Sequence, residues 1–170
     1  MMKMKTLTFA FALSATATLA NAADIGEVDT AFNLIGPNHK IKIVSFADPD
    51  VKGVSCFLSR PVTGGLMGGL GLAEDPSDVS IACRQTSAIE VTSRIAKGTD
   101  PVEVFNEKRS TFFKHLRVTR FYDPETSSFV YLTYSDKLID GSPKNSISVV
   151  TPQEVIGGSK VKGSQLLPGG

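Results

Sequence analysis

The chain has 170 residues, with 18 Lys and Arg against 17 Asp and Glu, a formal charge of +1, 41% hydrophobic residues and no Trp. That length supports one domain with a sizeable core. The near-neutral balance lacks the basic excess needed to neutralise a phosphate backbone, so nucleic acid is excluded as a partner.

The first 22 residues read as a secretory leader. Lys3 and Lys5 supply a positive start, Leu7 to Ala20 is an uncharged apolar run, and Ala20-Asn21-Ala22 places small residues ahead of a cut before Ala23. The run is short for a bilayer crossing and no second long apolar run occurs, so no membrane span is expected in the mature chain. The expected exported product is a single domain over residues 23–150 with a mobile tail over 151–170, which shows no clear periodicity. Without the leader the formal charge is −1, distributed as −4 over residues 23–83, +4 over 84–120 and −1 over 121–170. These regions are expected to face and neutralise one another in the fold. A basic patch is the alternative, weakened because Lys114 and Arg120 fall on one face of a strand and Arg117 on the other.

Two-residue alternation dominates the mature chain and predicts strands at Lys40–Phe46, Val54–Leu58, Val79–Arg84, Val102–Phe105, Phe112–Tyr122, Phe129–Tyr134 and Ile147–Val150. Asp48-Pro49-Asp50, Asp123-Pro124-Glu125 and Asp140-Gly141-Ser142-Pro143 punctuate them as turns. A short helix is expected at Thr92–Lys97, with Thr92 as its cap and Gly98 at its stop. This pattern predicts a mainly β fold, an antiparallel sandwich or barrel with one short helix.

Cys56 and Cys83 are the only cysteines. In an oxidising compartment they are expected to form a disulfide, which in the chain-entropy model stabilises by about 3.6 kcal/mol. If the flanking strands pair with Cys56 opposite Cys83, opposed residues sum to 139. Val54, Cys56 and Leu58 then share a face with Val79, Ile81 and Cys83, and Thr63 to Pro76 is a loop at the end of the ribbon. A disulfide joining two packed sheets remains the other possibility.

That loop holds Gly64-Gly65-Leu66-Met67-Gly68-Gly69-Leu70-Gly71-Leu72. No Lys-Ser or Lys-Thr comes after it, so it is not a phosphate loop. Four apolar side chains on so much glycine suggest a docking loop for an unknown exported protein or small ligand; a flexible surface hairpin is the plainer alternative. Asp48, Asp50, Glu74, Asp75, Asp136, Lys137 and Lys144 form a second candidate set, polar residues on turns that an enzyme could use. Asp48, Asp50, Glu74, Asp75 and Asp78 offer hard oxygens, but their spacing matches no calcium loop, so no metal and no cofactor is expected. His39 and His115 are solitary and carry no local motif. The serines are unmarked, so no catalytic set can be assigned.

Five segments carry a family likeness: Ile35-Gly36-Pro37-Asn38-His39-Lys40-Ile41, Asp48-Pro49-Asp50-Val51, Gly68 to Asp75, Arg120-Phe121-Tyr122-Asp123, and Tyr134 to Lys137 with Gly141 to Asn145. By these the chain resembles the bacterial CreA family of small exported proteins over roughly residues 25 to 150, with Cys56 and Cys83 where the family places its cysteine pair. The resemblance implies a periplasmic location and no particular activity. The tail after Val150 runs longer than the family leads one to expect. Three functions are compatible with these residues: a non-enzymatic binding or accessory domain using the glycine-rich loop, which the residues favour; a small hydrolase-like enzyme; and a structural envelope protein with no discrete site.

Overall fold

A computed structural model of the protein describes residues 22–31, 39–63, 78–91, 100–108, 115–135 and 144–153. Eight strands run through them: β1 (Ala23–Ala31), β2 (His39–Ala47), β3 (Val51–Thr63), β4 (Ser80–Val91), β5 (Val102–Lys108), β6 (His115–Asp123), β7 (Ser128–Ser135) and β8 (Asn145–Val150). They form two four-stranded antiparallel sheets, ordered β1-β2-β3-β4 and β5-β6-β7-β8. The described residues are therefore all-β in two sheets, which do not close into a single barrel. No helix occurs among the described residues, and the helix expected at Thr92–Lys97 lies outside them.

All seven expected strands have counterparts among the described residues, several of them longer than their alternation suggests; Phe112 to Lys114 of the expected Phe112–Tyr122 strand lie outside those residues. The eighth, β1, has no counterpart among the expected strands. Alternation then decides what is buried. On β6, Leu116, Val118, Arg120 and Tyr122 turn inward while His115, Arg117, Thr119 and Phe121 turn outward. On β7, Phe129, Tyr131 and Thr133 are buried. The inner residues of both sheets join one core with Val44, Phe46, Val54 and Leu58. Phe46 of β2 stacks on Phe105 of β5 with ring centroids 4.6 Å apart, fastening sheet to sheet. The burial of both Val104 and Phe105, adjacent on one strand, arises from a bulge between Glu103 and Phe105 that shifts the phase of β5.

The Cys56–Cys83 disulfide is formed, and it lies within one sheet. Cys56 and Cys83 are direct cross-strand partners of β3 and β4, and the pairing with residue numbers summing to 139 runs from Val54–Gln85 to Ser59–Ser80. Beyond Val54 the register breaks: Lys52 faces Glu90, and β4 bulges past Gly53. Gly53 has φ +90°, and a Cβ there would sit 2.6 Å from the Ala88 carbonyl oxygen and 2.8 Å from that of Ser87. Both contacts are rigid backbone. Gly53→Ala is therefore expected to cost about 2–4 kcal/mol, read as a lower denaturant midpoint; an unchanged midpoint would contradict this packing.

Candidate functional site

Of the polar set, Asp48 and Asp50 occupy the β2–β3 turn and are buried, at 3% and 5% exposure. Asp48 Oδ1 accepts the backbone N–H groups of Asp50 (2.8 Å) and Val51 (3.0 Å), which is the turn chemistry that Asp-Pro-Asp supplies. From the other sheet, Arg120 donates to Asp48 Oδ1 at 2.5 Å and to Asp50 Oδ2 at 3.2 Å. Tyr131, the cross-strand neighbour of Arg120, donates its hydroxyl to Asp48 Oδ2 at 2.8 Å. Burial, and then the adjacent Asp48 carboxylate, push the Tyr131 phenol far above its ordinary range, so it stays a proton donor. The acidic and basic thirds of the chain thus meet here in a charge cluster between the sheets.

Lys144 lies elsewhere. It pairs with Asp78 at 3.1 Å, both side chains exposed, beside a cavity of about 260 Å³ whose wall includes Arg60 and Pro61. Nine residues of β3 separate that end from Val51, a span of about 30 Å. Asp48 and Asp50 therefore do not converge with Lys144. Glu74, Asp75, Asp136, Lys137 and the loop Gly64 to Leu72 lie outside the described residues. The strands that carry the loop end beside the smaller cavity, since Pro61, Asp78, Val79 and Ser80 line it. Among the described residues no three His, Cys, Asp or Glu side chains are grouped to hold a metal ion. His39 opens β2, and His115 Nδ1 is 2.9 Å from Asn106 Oδ1.

The feature that the residues alone did not reveal is the outer face of the second sheet. Its cross-strand rows are Phe121–Val130–Val149 and Thr119–Leu132–Ile147, with Tyr134 beside Asn145 in the next row. Ile147 and Val149 are 60% and 51% exposed, whereas their neighbours Ser146 and Ser148 turn toward the other sheet. Ser148 Oγ there accepts the Cys83 N–H at 2.8 Å. From Ser146 to Val149 β8 is thus inverted, with apolar side chains outside and hydroxyls inside, while Val150 joins the core. A signal existed: Phe129 to Tyr134 is apolar on both faces of its strand, which a face merely exposed to water does not require.

The face is concave. A groove of about 730 Å³ is lined by Pro101, Glu103, Thr119, Phe121, Leu132, Tyr134 and Asn145. Its volume falls within the range of small-molecule and peptide sites, and apolar walls with a few polar groups are their usual chemistry. The polar rim is tied down: Glu103 accepts from Arg117 Nη1 (3.1 Å) and from Asn106 Nδ2 (2.9 Å). A neutralised carboxylate leaves the groove suited to an apolar occupant rather than a small charged one.

The fold and groove together define a small, disulfide-stapled, two-sheet β protein with an apolar trough on one outer face. The family model described as "CreA protein" matches residues 25–154. The chain is similar to Protein CreA of Escherichia coli strain K12, 51% identical over 150 residues that cover 88% of this chain and 96% of that relative. The Protein CreA sequences of E. coli O6:H1 and O157:H7 match with the same identity and coverage. No solved structure matches the chain significantly. The chain belongs to the CreA family.

Proposed function

We propose that this chain is a non-enzymatic binding or accessory domain of the periplasm, and that the groove on its second sheet holds an apolar ligand or an apolar segment of a partner. The observation that carries this reading is β8, which turns Ile147 and Val149 to solvent beside Leu132 and Val130, in the same cross-strand rows as the groove residues Thr119 and Phe121. Such a contiguous apolar face favours an occupant, because leaving it wet forgoes about 25 cal/mol for every Å² that could be covered.

Export is part of the same proposal. A leader over residues 1–22 would be cut before Ala23, and Ala23 is where β1 begins. The formed disulfide agrees with an oxidising compartment, and no helix among the described residues is long and apolar enough to cross a membrane. The glycine-rich loop Gly64 to Leu72 would add contacts through Leu66, Met67 and Leu70.

The test is a melting-temperature screen of the oxidised protein against apolar peptides, acyl chains, nucleotides, sugars and metals. Ligands that bind the native state raise the midpoint. Apolar peptides or acyl chains are expected to do so, and Leu132→Gln should abolish the shift. Because Leu132 faces outward, that change should move the stability of the free protein by no more than about 1 kcal/mol. A screen in which only polar ligands act, or in which Leu132→Gln changes nothing, would contradict the proposal.

A further inference from the structure

Among the described residues β1 is an edge strand whose only neighbour is β2, and its residues 23–30 are exposed on both faces. Its outer edge offers a row of backbone donors and acceptors for another strand. β2 shows what β1 accepts. Glu27 faces Lys42, Val28 faces Ile41 and Asp29 faces Lys40, so an acid-apolar-acid run meets Lys-Ile-Lys. Lys40 is bonded to Glu27, and Lys42 lies 2.7 Å from Asp24. The Glu27 and Asp24 side chains nevertheless remain 48% and 60% exposed, which leaves room for a second cation.

Beyond residues 1–22 the chain contains such a run once more. Lys160-Val161-Lys162, in the segment after β8, repeats the residue types of Lys40-Ile41-Lys42. We propose that this segment of a second copy adds to the free edge of β1, antiparallel, with Lys162 opposite Glu27, Val161 opposite Val28 and Lys160 opposite Asp29. Lys162 then meets the half-exposed Glu27 carboxylate, Lys160 meets Asp29 on the exposed β1, and Val161 covers Val28, which is 63% exposed.

Reach decides for the second copy. The Gln153 N–H is held by Gln85 on β4, the opposite edge of that sheet. Crossing four strand spacings and moving eight residues along the sheet takes about 32 Å. The seven residues from Gln153 to Lys160 span at most about 25 Å. Two β1 strands paired with each other would instead bring three carboxylates per strand against three. Reciprocal exchange of the two tails closes a dimer.

The experiment compares the full exported chain with Val161→Pro and with Lys160→Glu/Lys162→Glu, by sedimentation velocity and by amide exchange at β1. These substitutions lie beyond the last described strand. The unaltered protein should associate as its concentration rises, with β1 amides exchanging about tenfold more slowly in the associated form. Both variants should stay monomeric, with β1 exchange independent of concentration. A chain that is monomeric at its highest soluble concentration, or one whose association survives both variants, would overturn the proposal.

Discussion

Arg120→Met is expected to be the most damaging single substitution in the second sheet, costing about 3–5 kcal/mol in equilibrium unfolding. The loss does not come from the hydrophobic inventory, since methionine fills a comparable volume. It comes from Asp48 and Asp50, whose side chains are 0% and 7% exposed and would be left with no cation between the sheets. Adding Asp48→Asn and Asp50→Asn to the same chain should recover part of the loss, because the stranded charge goes with them. A double-mutant cycle should therefore show strong coupling between Arg120 and the two carboxylates. If Arg120→Met costs less than about 1 kcal/mol, the cluster does not join the sheets as described.

Removing the disulfide by Cys56→Ala with Cys83→Ala is expected to cost about 3.6 kcal/mol, a similar amount by a different route. Here the folded state changes little: the strands stay paired from Val54–Gln85 to Ser59–Ser80. The unfolded chain is what gains freedom, since a loop with its ends 27 residues apart is no longer closed. The two routes separate in denaturant titration. Loss of the cross-link opens the unfolded ensemble and should raise the m-value, whereas Arg120→Met should lower the midpoint at nearly constant m. An unchanged m-value on losing the disulfide would place its effect in the folded state.

Much of the first sheet could be read from the residues because its constraints are local. Val54 to Leu58 and Val79 to Arg84 alternate, and one disulfide between them leaves a single register once both cysteines lie in one sheet. β1 escaped for a physical reason. An edge strand exposed on both faces is under no burial constraint to alternate, and Gly26 with three carboxylates makes Ala23 to Ala31 look like a loop. The charge cluster escaped because it joins residues about seventy positions apart. Asp48 and Asp50 looked like turn residues, which they are, and nothing in their neighbourhood names Arg120 as the partner. The groove was half visible. The doubly apolar Phe129–Tyr134 stretch marks a strand with two demanding faces, but only the sheet order shows that Ile147 and Val149 extend the outer one.

The groove can be examined most directly by tracking side-chain methyl resonances while the oxidised protein is titrated with an apolar peptide or acyl chain selected by melting temperature. Binding at this face should move the methyls of Leu132, Val130, Ile147 and Val149 together, leave those of Leu58 and Val54 in place, and disappear in Leu132→Gln. Shifts confined to other parts of the molecule, or persisting in Leu132→Gln, would contradict a ligand site on the outer face of the second sheet.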